Sequence, residues 1–227
     1  MSLAEIQATV DDLVRDKDQV ITSVQRDTAI ADALQRYSAD APRVIVEDVA
    51  SAGGQVLPLP LHWIDGQSEI HGIEYPLGSV PPNEILPTAI HVTRTPTGPS
   101  LIFVFSPTSG EDVRLTYTGA HVVDVTTNTI PNRHRRALCA LAAADLCGQL
   151  SADYATEGAP TIGADSADHM GKTERYRNRA RDLRAEYTSL IGNVSERTKP
   201  ASVDVALPRR DALGGRPLFH PPTQWPR

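Results

Sequence analysis

The spacing of apolar residues changes period twice along this chain. From Leu3 to Tyr37 the period is helical. Leu3, Ile6, Val10, Leu13 and Val14 recur at three- and four-residue steps, which places them on one helix face. Ser2 precedes the run and Glu5 comes three residues later, the pattern of a capping box. Asp16-Lys17-Asp18 interrupts it. A second stretch follows with Val20, Ile21 and Val24, then Ile30, Ala33, Leu34 and Tyr37. Asp27 is placed to cap a fresh helix there, and Pro42 closes the region. The pattern over residues 1–42 predicts two N-terminal helices packed on the core. A first helix projecting toward a neighbouring subunit is the alternative.

From Arg43 the period shortens to that of strands. Arg43 to Val49, Gln55 to Leu59, Glu69 to Tyr75, Ala89 to Thr95, Leu101 to Phe105 and Asp112 to Thr118 are bounded by Gly, Pro or Ser and read as strands. Val113, Leu115 and Tyr117 alternate with Arg114 and Thr116, as in a half-buried strand. Leu101 to Phe105 is apolar at every position and is expected to be central. Residues 95–99 and 106–110 read as hairpin connections. Six short strands at this rhythm predict an inserted antiparallel β-sandwich-like domain over residues 43–128.

The helical period returns between Ile130 and Gly192. Pro131 suits an opening helical turn, where a missing N–H costs nothing. Cys139, Ala143, Leu146, Cys147, Leu150 and Tyr154 share one face of a first helix. Tyr176, Ala180, Leu183, Tyr187 and Leu190 form the seam of a second, with Gly192 as its stop. Two seams joined by a loop predict an antiparallel hairpin. Its core is Leu146, Leu150, Tyr154, Tyr176, Ala180, Leu183 and Tyr187, and the alanines let the backbones approach. Within the connecting loop, Thr161, Asp165 and Ser166 are turn or N-cap candidates. The fold class expected is α+β: a helical bundle with an inserted β domain.

After Gly192 the pattern ends. Residues 200–227 hold six of the eighteen prolines and show no helical period. Such a segment cannot bury enough surface to fold alone, so residues 193–227 are expected to form an extended arm that meets a partner. Val203 and Val205 alternate with Asp204 and Ala206, which suits addition to a strand edge. Phe219 and Trp225 suit pockets, and Arg209, Arg210, Arg216 and Arg227 supply charge.

Composition narrows the function. The net charge is −6, which argues against sequence-independent DNA binding but allows a wall that DNA slides past. The two cysteines, eight residues apart on one helix, lie about 12 Å apart along its axis. They cannot bridge there and read as small core residues in a reducing compartment. No run of apolar residues is long enough to cross a membrane. The seven histidines fall in no metal-binding spacing, and neither a nucleophile elbow nor a phosphate-binding loop is present. Asp165, Asp168 and His169 form the one cluster that could hold a metal or do acid–base work. Capping of the second helix by the two aspartates is the competing role. That helix also carries Lys172, Arg175, Arg177, Arg179, Arg181 and Arg184 against Glu174, Asp182 and Glu186. The row reads as a solvated face or a contact to an acidic neighbour; nucleic-acid contact is the weakest reading, because the run lacks interleaved aromatics for base stacking and the chain is acidic.

One combination of residues goes further. Leu146-Cys147, Tyr154-Ala155, Ile162 to Ser166, Asp168-His169, Lys172, Tyr176, Arg179-Ala180-Arg181 and Leu183 follow one another in an order that resembles the head-to-tail connector (adaptor, or head completion) proteins of tailed bacteriophages. Tyr37-Ser38, Pro42-Arg43, Trp63, Tyr75-Pro76, Pro81-Pro82, Tyr117 and His121 extend the likeness to roughly Ile30 through Gly192. The resemblance implies a structural virion protein made in the host cytoplasm, without catalysis, cofactor or metal. It implies a homo-oligomeric ring, by family habit of twelve subunits, in the neck between the portal protein and the next neck or tail component. Packaged DNA would pass through the lumen without specific binding, and the arm would reach the portal or an adjacent subunit. The alternatives are a metal-dependent hydrolase using Asp165, Asp168 and His169, or a stand-alone β-sandwich binding module.

Overall fold

The computed structural model describes residues 2–96, 98–156 and 166–192, with side chains from 171 onward in the last segment. The expected α+β architecture is present. Helices α1 (Leu3–Val14) and α2 (Ser23–Asp40) lead into strands β1 (Arg43–Ala50), β2 (Val56–Leu57), β3 (Ile70–Glu74), β4 (Glu84–Ile85), β5 (Ile90–Thr95), β6 (Gly98–Phe103) and β7 (Asp112–Gly119). Helices α3 (Arg135–Thr156) and α4 (Ser166–Ile191) follow.

Helix α3 is the axis of the helical part. It is buried nearly all round: Ala137, Leu138, Cys139, Ala140, Ala142, Ala143, Ala144, Leu146, Cys147 and Leu150 are inaccessible to solvent or almost so. A one-sided hairpin seam does not describe it, because α1 and α2 pack on α3 as well as α4. Alanines at five of these ten positions make this possible. Each lets a neighbouring backbone approach on a different side of the same helix. Helix α4 runs antiparallel to α3, with Arg136 bonded to Glu186 near one end and Ser151 to the Thr173 carbonyl near the other. Its seam ends on Ile191, which is buried, whereas Leu190 is 40% exposed. Gly192 adopts a left-handed φ of 80° and donates to the Thr188 carbonyl, the expected stop.

Both N-terminal helices pack on this core, as the periodicity predicts. The capping box forms, with Ser2 N donating to Glu5 Oε2 at 2.8 Å. The second helix starts earlier than expected. Its cap is Thr22, which exchanges hydrogen bonds with Gln25 in a second capping box. Asp27 therefore caps nothing; it lies inside α2 and bonds Gln7 and Arg26. Val20 and Val24 are exposed instead of joining the core. Pro131 also differs: it precedes a short 3-10 turn, Asn132–His134, that feeds α3.

The β domain is two antiparallel sheets, β1-β7-β3-β4 and β2-β6-β5. They share one core of Ile45, Val49, Ile73, Val113, Leu115 and Tyr117 from the first and Leu57, Ile90, Leu101 and Phe103 from the second. The β5–β6 hairpin forms where Thr95 pairs with Gly98, and β6 is central as expected. Residues 106–110 are not a hairpin. They carry the chain from one sheet to the other, and Gly110 N donates to the Ser51 carbonyl. Strand β4 has only two residues beside Pro81-Pro82, too short to show alternation.

Candidate functional site

The residues expected to bind a partner in the arm, Val203, Val205, Arg209, Arg210, Arg216, Phe219, Trp225 and Arg227, lie outside the described residues. So do Asp165 and the side chains of Asp168 and His169. Among the described residues no group of three or more His, Cys, Asp or Glu could hold a metal ion.

The hairpin core is brought together as predicted. Leu146, Leu150, Tyr154, Ala180, Leu183 and Tyr187 are buried, and Tyr176 stacks on Tyr154 with ring centroids 5.7 Å apart. The Tyr154 hydroxyl donates to Asp18 Oδ2 at 2.8 Å, and burial raises its pKa above that of an ordinary phenol. Lys172 reaches the same Asp18 oxygen at 3.0 Å and lies over the Tyr154 ring. This knot ties the α1–α2 turn to both long helices. Cys139 and Cys147 are free and buried, and burial pushes both thiols up to about 11. They are protonated packing groups at neutral pH rather than nucleophiles.

Two histidines to which the apolar pattern assigns no role sit where the helical part meets the β domain. Tyr37 Oη and His134 Nδ1 are 2.7 Å apart. His121 Nε2 lies 3.0 Å from the Ala41 carbonyl and its Nδ1 3.1 Å from the Thr129 carbonyl. Its backbone N–H donates to Ser38 Oγ. These groups hold the junction after α2 and are consumed in doing so.

What remains is surface. Strand β1 is an eight-residue edge strand, bonded along one side to β7. Val44 and Val46 on its outer face are 60% and 59% exposed. On the same face Arg114 forms a two-pronged ion pair with Asp48, and reaches Glu74 at 3.2 Å. Exposed apolar edges of this length are pairing surfaces unless covered.

Helix α4 supplies a second surface. Packing sorts five of its six cations into two sets. Lys172 turns to Asp18, and Arg179 donates through Nε to the Leu13 carbonyl at 2.6 Å. Arg177, Arg181 and Arg184 instead rim a groove of about 420 Å³ whose floor is Gly148, Ser151, Ala152, Ala155 and Ala180.

Neither a protein-family model nor a curated protein matches this chain. None of the helices described is long and apolar enough to cross a membrane.

Proposed function

We propose that this chain is a structural adaptor of the tailed-bacteriophage neck, assembling as a ring of identical subunits that joins the portal protein to the next neck or tail component. The observation that carries the reading is where the connector-like residues fall. Leu146, Cys147, Tyr154, Tyr176, Ala180 and Leu183 are the packed seam between α3 and α4, so the likeness coincides with the part of the chain that builds the bundle. His121, His134, Cys139 and Cys147 are buried and engaged in packing or hydrogen bonds, while His62, His71 and His91 are exposed and scattered over the β domain. The open β1 edge suits contact with the following neck component, and the arm beyond Gly192 suits anchoring to the portal or to an adjacent subunit. An overall acidic chain suits a lumen that lets DNA pass without holding it.

Electron microscopy of the purified protein, alone and mixed with the portal ring of its own phage, tests this. Rings that stack coaxially on the portal are the expected result. A protein that neither forms rings nor binds the portal overturns the reading.

A further inference from the structure

We infer that the groove between α3 and α4 receives the acidic face of α1 from a second copy of this chain, making a head-to-tail contact. The inference deepens the ring reading above and rests on it.

The two surfaces face opposite ways. Helix α1 and the α1–α2 turn lie on the side of α3 that bears Leu146, since Val14 and Leu146 line the same cleft. Gly148, two residues on, lies about 160° away round the helix axis, and it floors the arginine groove. A subunit therefore cannot close this groove with its own α1. Repetition of one such contact between copies gives a closed ring or an open chain.

Their charges are complementary. Helices α1 and α2 with their connecting turn hold eight acidic and four basic residues. Helix α4 holds six basic against four acidic. The exposed ridge of α1 is Ala4, Ala8, Asp11 and Asp12, with Glu5 beside it. Its small residues allow a close helix approach, and its carboxylates flank them: Asp11 pairs with Arg26 of α2 at 2.8 Å, Glu5 closes the capping box, and Asp12 points its charge outward. Its one cation, Arg15, lies at the C-terminal end. The groove mirrors this, with small residues on the floor and arginines on the rim. Arg184 lies across Gly148, 3.9 Å from where a Cβ would stand, and bonds Asp145. Arg177 has no partner among the described residues, and neither has Asp12.

The test mixes two full-length single variants, Asp12→Cys and Arg177→Cys, under mild oxidation. Both positions are exposed, and the native cysteines are buried. A disulfide between the two variants, at least tenfold more abundant than either homodisulfide and lost when Arg181→Glu is added to the second variant, is expected. Absence of the mixed disulfide, or equal homodisulfides, overturns the inference. Rings in micrographs without the mixed disulfide would retire this surface and leave the ring reading standing. A mixed disulfide that builds only open chains would uphold the contact and remove the ring.

Discussion

The Tyr187 hydroxyl donates to Asp40 Oδ2 at 2.6 Å, across 147 positions of sequence. The bond joins the last turn of α4 to the last residue of α2, at the point where Ala41 and Pro42 lead into β1. Arg36 holds the same carboxylate oxygen at 3.1 Å. Burial is the main cause that raises the Tyr187 pKa, with the Asp40 carboxylate adding to it. A Tyr187→Phe variant keeps the ring packing and loses the bond. It should cost about 1.5–3 kcal/mol, the range for hydrogen bonds to charged groups, read as a lower urea midpoint at unchanged m-value. An unchanged midpoint would mean that the bond does not form in solution.

The seam of α3 and α4 was legible because it depends on local period alone: Leu146, Leu150 and Tyr154 on one side, Ala180, Leu183 and Tyr187 on the other. Choices between neighbouring residues were less legible. Leu190 and Ile191 are one residue apart, and only the position of the α3 surface decides which is covered. Asp27 is as good a cap by type as Thr22, but Thr22 has Gln25 three residues on to return the bond. The arginine groove could not be read from the sequence. Along α4 the cations form one row, and only packing turns Arg179 to the Leu13 carbonyl and leaves Arg177 outward. The role of His121 could not be read either, although the residue belongs to the connector-like set, since its partners Ala41 and Ser38 lie 80 and 83 positions away.

His121 makes stability depend on pH. Burial lowers its pKa below the ordinary 6.5, with Arg43 adding to the effect, while the bonds to Ala41 and Thr129 oppose it. The unfolded chain therefore takes up a proton at His121 at higher pH than the folded chain does. Stability is fully present above 6.5 and falls as the pH drops from there toward the folded value. A His121→Gln variant should show a flatter stability curve between about pH 7 and pH 5 than the native chain, whatever its stability at pH 7. Parallel curves would remove His121 as the source.

Ala143 tests how closely the neighbours of α3 pack on it. It is fully buried in the middle of the helix, where alanine sets how closely the neighbours pack. Ala143→Leu should destabilise by about 1–3 kcal/mol through overpacking. Calorimetry reads the loss directly, and an unchanged melting temperature would refute the packing around α3.

Deletion of residues 200–227 separates folding from attachment. Among the described residues, the buried apolar side chains of the helical core run from Ile6 to Ile191, and those of the β domain from Ile45 to Tyr117. The helical ends near Gly192 are already held, by Tyr187 on Asp40 and Arg136 on Glu186. Removing the arm therefore leaves every described core residue in place, and the melting temperature should change little. Attachment is different if Val203, Val205, Phe219, Trp225, Arg209, Arg210, Arg216 and Arg227 are what the portal or the adjacent subunit grips. The truncated protein should then stay folded and fail to co-sediment with portal rings that retain the full chain. Normal co-sedimentation by a folded truncated chain would move the anchor off the arm and onto the surfaces of the bundle and the β1 edge.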